Sequence, residues 1–309
     1  MNAILKKYPV PATGLILGLA AAGNLVQSYS EILRIMFGLI SAALFILMIV
    51  KIIKFPKGVK EALDNPVVAS VFPTFTMAAM LLSTYIKTLV PTIAFAMWIA
   101  AVILHAVLIV LFTKKYVVNF KIKTVFPSWF IVYVGIVVSS VTAPAYKMIS
   151  VGQAAFWFGL VTYLVLLPIV LYRVFKIKEI SEPAKPTLVI FAAPASLLLA
   201  GYINSFETKN MTMIVFLAAL SIIMYIGVLA VLFNLLKLKF YPSYSAFTFP
   251  LVISGISMKL TNGFLIKINQ SVEILKYIVK FQEAAAVLMV IYVLYRYMKF
   301  LFETEQQKA

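Results

Sequence analysis

Residues 186–205 read PTLVIFAAPASLLLAGYINS, an uncharged run of twenty residues with a proline, Pro194, near its middle. About 20 apolar residues are the length that a helix needs to cross the hydrocarbon core of a membrane. Proline inside a helix removes one backbone hydrogen bond and clashes with the preceding turn. In a bilayer this break is tolerated only where neighbouring helices or water satisfy the freed carbonyl groups. The stretch therefore predicts a broken membrane helix surrounded by other helices.

This pattern occurs five times along the chain. Four further prolines lie in or at the start of apolar runs, and small, hydroxylated or aromatic residues follow most of the five. The five segments are Pro11-Ala12-Thr13-Gly14, Pro73-Thr74-Phe75-Thr76, Pro127-Ser128-Trp129, Pro194-Ala195-Ser196 and Pro250-Leu251-Val252. Their spacings of about 54 to 67 residues indicate internal repetition. We expect five equivalent broken helices around a common axis.

The composition predicts an all-α integral membrane protein. Hydrophobic residues make up 63% of the 309 residues and charged residues 12%, with a mean hydropathy of +1.04. A soluble domain is closer to half apolar and about a quarter charged. The chain has no cysteine, which excludes disulfides and thiolate metal sites, and its single histidine excludes an imidazole cluster. We expect one transmembrane domain over residues 1–309, without a metal or another cofactor.

Ten apolar stretches are long enough to cross a membrane. The odd-numbered stretches carry the five prolines and more Thr, Ser and Gly, whereas the even-numbered ones are continuous and rich in Leu, Ile and Val. The alternation predicts five helical hairpins, each with one broken and one continuous helix, in a quasi-fivefold arrangement around a central pore. The predicted spans are 9–28, 32–53, 66–86, 90–113, 125–146, 151–174, 186–205, 211–236, 242–262 and 279–300.

Lysine and arginine are divided unequally between the two ends of these spans. With ten spans, 19 of the 27 basic residues, Lys308 included, fall on the side of the termini. The positive-inside rule then places both termini in the cytoplasm, and we expect the plasma membrane. The net charge of +17 does not indicate a nucleic-acid partner, because these residues flank spans and contact anionic membrane lipids. A basic vestibule that concentrates anions is the alternative role.

Few titratable side chains fall inside the predicted spans. His105 lies within the fourth span, where a hydrogen bond to a neighbouring helix and a pH-sensing role both stay open. Glu283 begins the tenth span and is either an interfacial ion-pair partner of Lys280 or Lys276, or a proton site. No carboxylate pair and no glycine-rich phosphate loop occur, which disfavours a cation pathway and ATP use. Basic mouths without intramembrane acids favour an anion.

The broken helices supply candidate pore-lining groups. A proline break exposes backbone and hydroxyl groups, and hydroxyl donors bind an anion weakly enough to release it. The alternative is that Ser and Thr only pack between helices. The candidates are Pro11, Thr13, Gly14, Pro73, Thr74, Thr76, Pro127, Ser128, Pro194, Ser196, Thr248, Pro250 and Ser254.

The motifs on the alternating spans also occur in a characteristic order. They are Pro11-Ala12-Thr13-Gly14 with Gly18, Asn65-Pro66 with Phe72-Pro73-Thr74, Pro127-Ser128-Trp129-Phe130, Ala193-Pro194-Ala195, and Ser245-Ala246-Phe247-Thr248-Phe249-Pro250. In this order the chain resembles the tellurite-resistance and C4-dicarboxylate transporter family, which includes TehA, the malic acid transporter and the slow anion channel of plant guard cells. The resemblance covers essentially all ten spans.

This resemblance implies a homotrimer in which every protomer has its own pore. The odd spans would be inner helices that line the pore, and the even spans would surround them. The resemblance also implies an aromatic gate in the ninth span, which matches Phe249, with Phe247 as the second choice. A phenyl ring in a narrow apolar tube blocks both water and ions. Nothing in the residues recognises tellurium chemistry.

Two transport functions stay open at this point. The first is an anion channel or facilitator that passes small inorganic or organic anions. The alternative is a proton-coupled transporter of C4-dicarboxylates such as malate, or a tellurite-resistance permease. Proton coupling needs a titratable group, for which His105 and Glu283 are the candidates. A membrane-embedded enzyme is disfavoured, because the chain lacks carboxylate pairs and clusters of Cys or His.

Overall fold

The computed structural model describes residues 2–303, and all regular structure in that range is helical. Lys308, predicted on the cytoplasmic side, lies outside the described residues. The α-helices are α1 (Asn2–Lys7), α2 (Ala12–Val26), α3 (Glu31–Lys54), α4 (Pro56–Ala62), α5 (Pro66–Val71), α6 (Thr74–Ile86), α7 (Pro91–Phe112), α8 (Trp129–Val134), α9 (Val138–Thr142), α10 (Ile149–Leu171), α11 (Ala193–Ser205), α12 (Met211–Leu236), α13 (Phe249–Lys267) and α14 (Glu273–Phe302). The 3₁₀-helical segments are Ile122–Thr124, Gly135–Val137, Ala143–Tyr146, Glu182–Ala192 and Pro242–Phe247, and the π-helical turns are Thr113–Val117 and Tyr172–Ile177.

Nine helical segments within residues 2–303 are long and apolar enough to cross a membrane. They are Glu31–Lys54, Pro66–Ile86, Pro91–Val117, Trp129–Tyr146, Ile149–Ile177, Glu182–Ser205, Met211–Leu236, Pro242–Lys267 and Glu273–Phe302. The protein is therefore a multi-pass membrane protein. The predicted first span, 9–28, contains the shorter apolar helix α2, which starts only after Pro11, so the count of ten stays a prediction.

Helix α14 extends beyond the tenth predicted span, 279–300, at its N-terminal end. Helix α14 starts at Glu273 rather than at residue 279. Its first turns carry Lys276 and Lys280, which lower the local hydropathy, but both side chains lie on the exposed side of the helix. Hydropathy therefore underestimates the length of a helix whose end extends into the interfacial region.

The broken and the continuous spans occupy different layers of the bundle. In the four long spans that contain or directly follow Pro73, Pro127, Pro194 or Pro250, 56% to 89% of the most apolar stretch is buried. The other five long spans, of which Ile149–Ile177 has Pro168 inside its helix, reach only 22% to 39%. Helix α2, which follows Pro11, is buried at almost every position. The broken segments thus form an inner layer and the continuous helices an outer one. Backbone groups at the five proline junctions are therefore surrounded by protein, as a bilayer requires. Pro168 differs from these prolines, because it lies on the exposed side of the outer helix α10.

Inner helices pack against one another in sequence order. Helix α2 contacts α6 and α13, α9 contacts α6 and α11, and α11 also contacts α13. Each outer helix packs on the inner segment that precedes it, as α3 does on α2 and α14 does on α13. These contacts enclose a common centre between the inner helices.

The five prolines lie where a new α-helix begins. Pro11 directly precedes α2, Pro73 directly precedes α6, and Pro127 lies two residues before α8. Pro194 and Pro250 lie in the first turns of α11 and α13, each directly after a 3₁₀-helical segment. The first turn is the position at which a missing backbone N–H costs a helix least. The predicted breaks are therefore junctions between a tight turn and an α-helix.

Candidate functional site

A central cavity lies between the inner helices and takes its wall from all five broken segments. Its volume is about 30 Å³. The wall is formed by Gly14, Val71, Thr74, Met77, Phe130, Ile131, Val134, Gly135, Ile190, Ala193, Pro194, Leu197, Ser245, Ala246, Phe249 and Pro250. These side chains are mostly apolar, and none of them carries a charge.

Phe249 is the one of the two gate candidates that lies on the cavity wall. Its side chain is 6% exposed, and it is the first residue of α13. Phe247 is fully buried and packs against Tyr244, with ring centroids 4.7 Å apart, away from the cavity. The 3₁₀-helical segment before α13 therefore directs the two phenylalanines to different surroundings.

Thr248 and two glycines of α2 determine where Phe249 lies. The Thr248 hydroxyl is 3.0 Å from the carbonyl oxygen of Gly14 and 2.7 Å from that of Ser245, so it ties the start of α13 to α2. A Cβ atom at Gly18 would lie 2.3 Å from Thr248 Oγ1 and 3.2 Å from the backbone nitrogen of Phe249. Gly18 thus permits a close approach of the two helices that any larger residue would prevent.

Most of the predicted pore-lining hydroxyls bond to backbone carbonyls one turn earlier. Thr13 donates to Val10 O at 3.1 Å, and the Thr76 hydroxyl lies 2.7 Å from Pro73 O. Ser196 and Ser254 share the carbonyl of Ala192 at 2.7 and 3.2 Å, and their hydroxyls lie 3.1 Å apart. These groups satisfy the carbonyls around the helix junctions, as buried polar groups require.

The structure consequently places few of the predicted lining residues on the cavity wall. Those on the wall are Gly14, Thr74, Pro194 and Pro250. Those away from it are Pro11, Thr13, Pro73, Thr76, Pro127, Ser128, Ser196, Thr248 and Ser254. Even the Thr74 hydroxyl bonds within the protein, at 2.8 Å from both Thr13 Oγ1 and Val71 O. The cavity is thus more apolar than a hydroxyl-lined pore.

The predicted lining residues omit apolar wall residues that lie at helical spacing. Phe130 and Val134 in α8 are four residues apart, as are Ala193 and Leu197 in α11. Residues three, four and seven positions apart share one face of a helix. The spacing of apolar residues within an inner helix was therefore the signal that could have found them.

A second cavity opens at the end where the inner segments begin, and we call it the basic funnel. Its volume is about 480 Å³, and it is bordered by Lys6, Lys7 and Lys51, together with the starts of four inner segments. No Asp or Glu belongs to its wall within residues 2–303, although wall residue Tyr241 donates to the neighbouring Glu182 at 2.7 Å. Helix N-termini and lysines both give this end a positive potential.

Lys51 is the most enclosed of the funnel lysines. Its side chain belongs to the outer helix α3, and the residue is only 8% exposed. The ammonium donates to the carbonyl oxygens of Leu5 and Lys6 at 2.9 and 3.2 Å, at the end of α1. Both acceptors are neutral. Within residues 2–303, Lys51 forms no ion pair with a carboxylate, so its positive charge is not compensated.

His105 lies behind the cavity wall and does not belong to it. The buried ring bridges two inner segments, because Nδ1 is 2.7 Å from Thr76 Oγ1 and Nε2 is 3.1 Å from Val132 O. A carbonyl oxygen only accepts, so Nε2 carries the hydrogen. Gly135 separates the ring from the cavity, and a Cβ atom there would lie 3.0 Å from His105 Cε1. The surroundings match the predicted hydrogen bond to a neighbouring helix.

Glu283 forms an ion pair, but with a partner that the sequence analysis did not name. Its Oε1 accepts from Lys259 Nζ at 2.6 Å, and its Oε2 accepts from the Tyr29 hydroxyl at 2.6 Å. Lys276 instead pairs with Glu273. The hydrogen bond to Glu283 raises the pKa of the Tyr29 phenol above its ordinary value. Glu283 was expected beside Lys280 or Lys276 because both are near in sequence, whereas Lys259 comes from another helix.

No group of three or more Asp, Glu, His or Cys residues within residues 2–303 is arranged to hold a metal ion.

Comparison with known proteins agrees with this architecture. The chain matches the family model described as SLAC1, voltage-dependent anion channel, over residues 8–298. Among curated proteins, none matches the chain. The matched region includes the central cavity and the whole of α13, and it confirms the resemblance to the family of TehA, the malic acid transporter and the plant slow anion channel. Members of that family are channels and transporters of anions rather than enzymes. The chain therefore belongs to the voltage-dependent anion channel family.

Proposed function

We propose that the protein is an anion channel or facilitator whose pore runs from the basic funnel through the central cavity and is occluded by Phe249. The observation that carries this proposal is that four of the inner segments border both cavities. In the first segment, Pro11 borders the funnel and Gly14 borders the central cavity. In the second, Val68 borders the funnel and Val71 borders the central cavity. A lysine-lined entrance that leads into an uncharged cavity attracts anions without holding them.

The proposed architecture is ten transmembrane helices in five hairpins, with quasi-fivefold symmetry around the pore. The contacts of α2, α6, α9, α11 and α13 support it, since each of these inner helices touches two others. Large apolar side chains exposed on the outer helices, such as Leu39 and Leu288, support contact with membrane lipids. A homotrimer in the plasma membrane with cytoplasmic termini is proposed from the family resemblance and from the excess of basic residues on one side.

Recording currents across planar bilayers tests the proposal. We expect Phe249→Ala to raise the anion current at least about tenfold over the unaltered protein, because the variant removes the ring that fills the path. The current should reverse at the Nernst potential of the anion. Phe233→Ala is the matched control, since Phe233 lies on the outer helix α12 with 72% of its surface exposed. Equal currents for both variants would contradict the Phe249 gate.

The proton-coupled dicarboxylate carrier is the competing outcome of the same experiment. It predicts no current in either protein, together with malate uptake into vesicles that depends on a proton gradient. His105 is enclosed by hydrogen bonds and Glu283 is paired with Lys259, so neither side chain faces the central cavity. These contacts support the channel over the carrier, because proton coupling needs a titratable group at the transport site.

A further inference from the structure

The ion pair between Lys259 and Glu283 differs from the other ion pairs in the described part of the chain. In each of the other four pairs, at least one side chain is more than half exposed. The Glu283 side chain is 8% exposed and that of Lys259 30%. Exposed pairs contribute little to stability, whereas removing one partner of a buried pair leaves an uncompensated charge. This pair is therefore the one whose loss would most disturb the surrounding helices.

Three separate elements meet at this pair. Lys259 belongs to α13 and Glu283 to α14, and the Lys259 ammonium also donates to Leu25 O at 2.9 Å and Ser28 Oγ at 2.7 Å, at the end of α2. Tyr29 donates to the second carboxylate oxygen of Glu283, and the Lys259 ammonium lies 4.6 Å from the centre of the Tyr29 ring. We call Lys259, Glu283 and Tyr29 the charged clamp. It links α13 to two of the helices that pack against it, α2 and α14.

The charged clamp and Phe249 lie on the same helix. Ten residues separate Phe249 from Lys259, which is about 15 Å along a regular helix. The Thr248 hydroxyl, which contacts Gly14 O, attaches the first end of α13 to α2, and Lys259, which contacts Leu25 O, attaches it again further along. A movement of α13 as a rigid body that withdraws Phe249 from the cavity must break these attachments.

We propose that the charged clamp holds α13 in the position that keeps Phe249 in the cavity, so that Lys259, Glu283 and Tyr29 are positioning residues for gating. This inference rests on the proposed function, in which Phe249 closes the pore. The clamp does not line either cavity. Its effect is therefore on how often the pore is open and not on which ion passes.

Single-channel recording separates these two effects. We expect Glu283→Gln to raise the open probability about tenfold, equivalent to about 1.4 kcal/mol, with little change in single-channel conductance. Tyr29→Phe removes one hydrogen bond and leaves the ion pair, so it should give a smaller rise in a protein that keeps its fold. The matched control is Glu273→Gln, which removes the same charge from the exposed pair on α14.

The double variant Phe249→Ala/Glu283→Gln tests the connection to the gate. If the clamp acts through Phe249, adding Glu283→Gln to Phe249→Ala gives no further increase in current. An additive increase, or open probabilities of Glu283→Gln and Tyr29→Phe that equal that of the unaltered protein, overturns the clamp while leaving the gate intact. A Phe249→Ala variant without increased current overturns both the gate and the clamp.

Discussion

Four inner segments border both the basic funnel and the central cavity, but the two cavities differ in charge. Lysines border the funnel, and its wall within the described residues contains no acid. The central cavity has no charged residue on its wall, and Phe249 contributes a phenyl ring to it. Only a few residues separate the funnel wall from the central-cavity wall along a segment. In the first segment, Pro11 borders the funnel and Gly14 borders the central cavity.

The two cavities therefore have different proposed roles: the funnel lysines attract anions, and the Phe249 ring closes the pore. Lysine charges act over the Debye length, so they raise the anion concentration at the entrance without contacting the narrow part of the path. An aromatic ring between packed helices acts only by contact. Variants of one region should therefore change a different measured quantity from variants of the other.

The largest effect on stability is expected from a substitution where α2 meets the start of α13. In Gly18→Ala the new Cβ atom overlaps Thr248 and approaches the backbone of Phe249, so the helices must separate. We expect a loss of about 1–3 kcal/mol in the free energy of unfolding. Unfolding in detergent, followed by circular dichroism, measures it.

Gly227→Ala is the matched control, because a Cβ atom at Gly227 in α12 would meet no atom within 4 Å. It should leave stability unchanged or raise it slightly, since alanine favours helices over glycine. Equal losses in the two variants would show that the approach at Gly18 does not constrain the gate helix.

An intermediate effect is expected for the funnel charges. The double variant Lys7→Gln/Lys51→Gln should lower the anion current about threefold at low salt and much less at high salt, because salt screens the attraction. Lys237→Gln/Lys299→Gln removes the same charge from exposed lysines outside the funnel wall. If both double variants lower the current equally, then total charge determines the current and the funnel has no special role.

The smallest effect on transport is expected for His105. His105→Ala leaves Thr76 and Val132 O without their imidazole partner and should reduce stability by about 1–3 kcal/mol. The pH dependence of transport should stay as in the unaltered protein, measured as flux into vesicles at several pH values. Loss of the pH dependence would instead favour the proton-coupled carrier. Thr76→Val, which removes only the hydroxyl beside Nδ1, serves as the comparison variant.

Composition and periodicity were enough to predict the helical membrane class and the alternation of broken and continuous spans. The reason is that a proline break in a bilayer requires surrounding protein, and the five prolines of the repeated pattern all lie in the inner layer. Proline alone does not identify that layer, since Pro168 lies inside the outer helix α10. The orientation of individual side chains was not predictable in this way. Ser196 and Ser254 have the residue type of pore-lining groups, yet both bond to the carbonyl of Ala192, which is one turn before Ser196 but lies in a different inner segment from Ser254.

The ion-pair partner of Glu283 was also not predictable from the sequence. Lys280 and Lys276 are near it in the sequence, but their side chains lie on the exposed side of α14. Lys259 lies in the preceding helix, and only the packing of α13 against α14 brings its ammonium to 2.6 Å.

The sequence by itself determined that the protein lies in a membrane, where its helices break and which helices are inner ones, because hydropathy and proline geometry act locally. The tertiary structure decided which face of each inner helix borders the cavity, that Phe249 rather than Phe247 lies there, and that Lys259 meets Glu283. These outcomes depend on the rotation of each helix about its axis. Contacts between segments far apart in the chain set that rotation, such as those of Gly18 with Thr248 and Phe249.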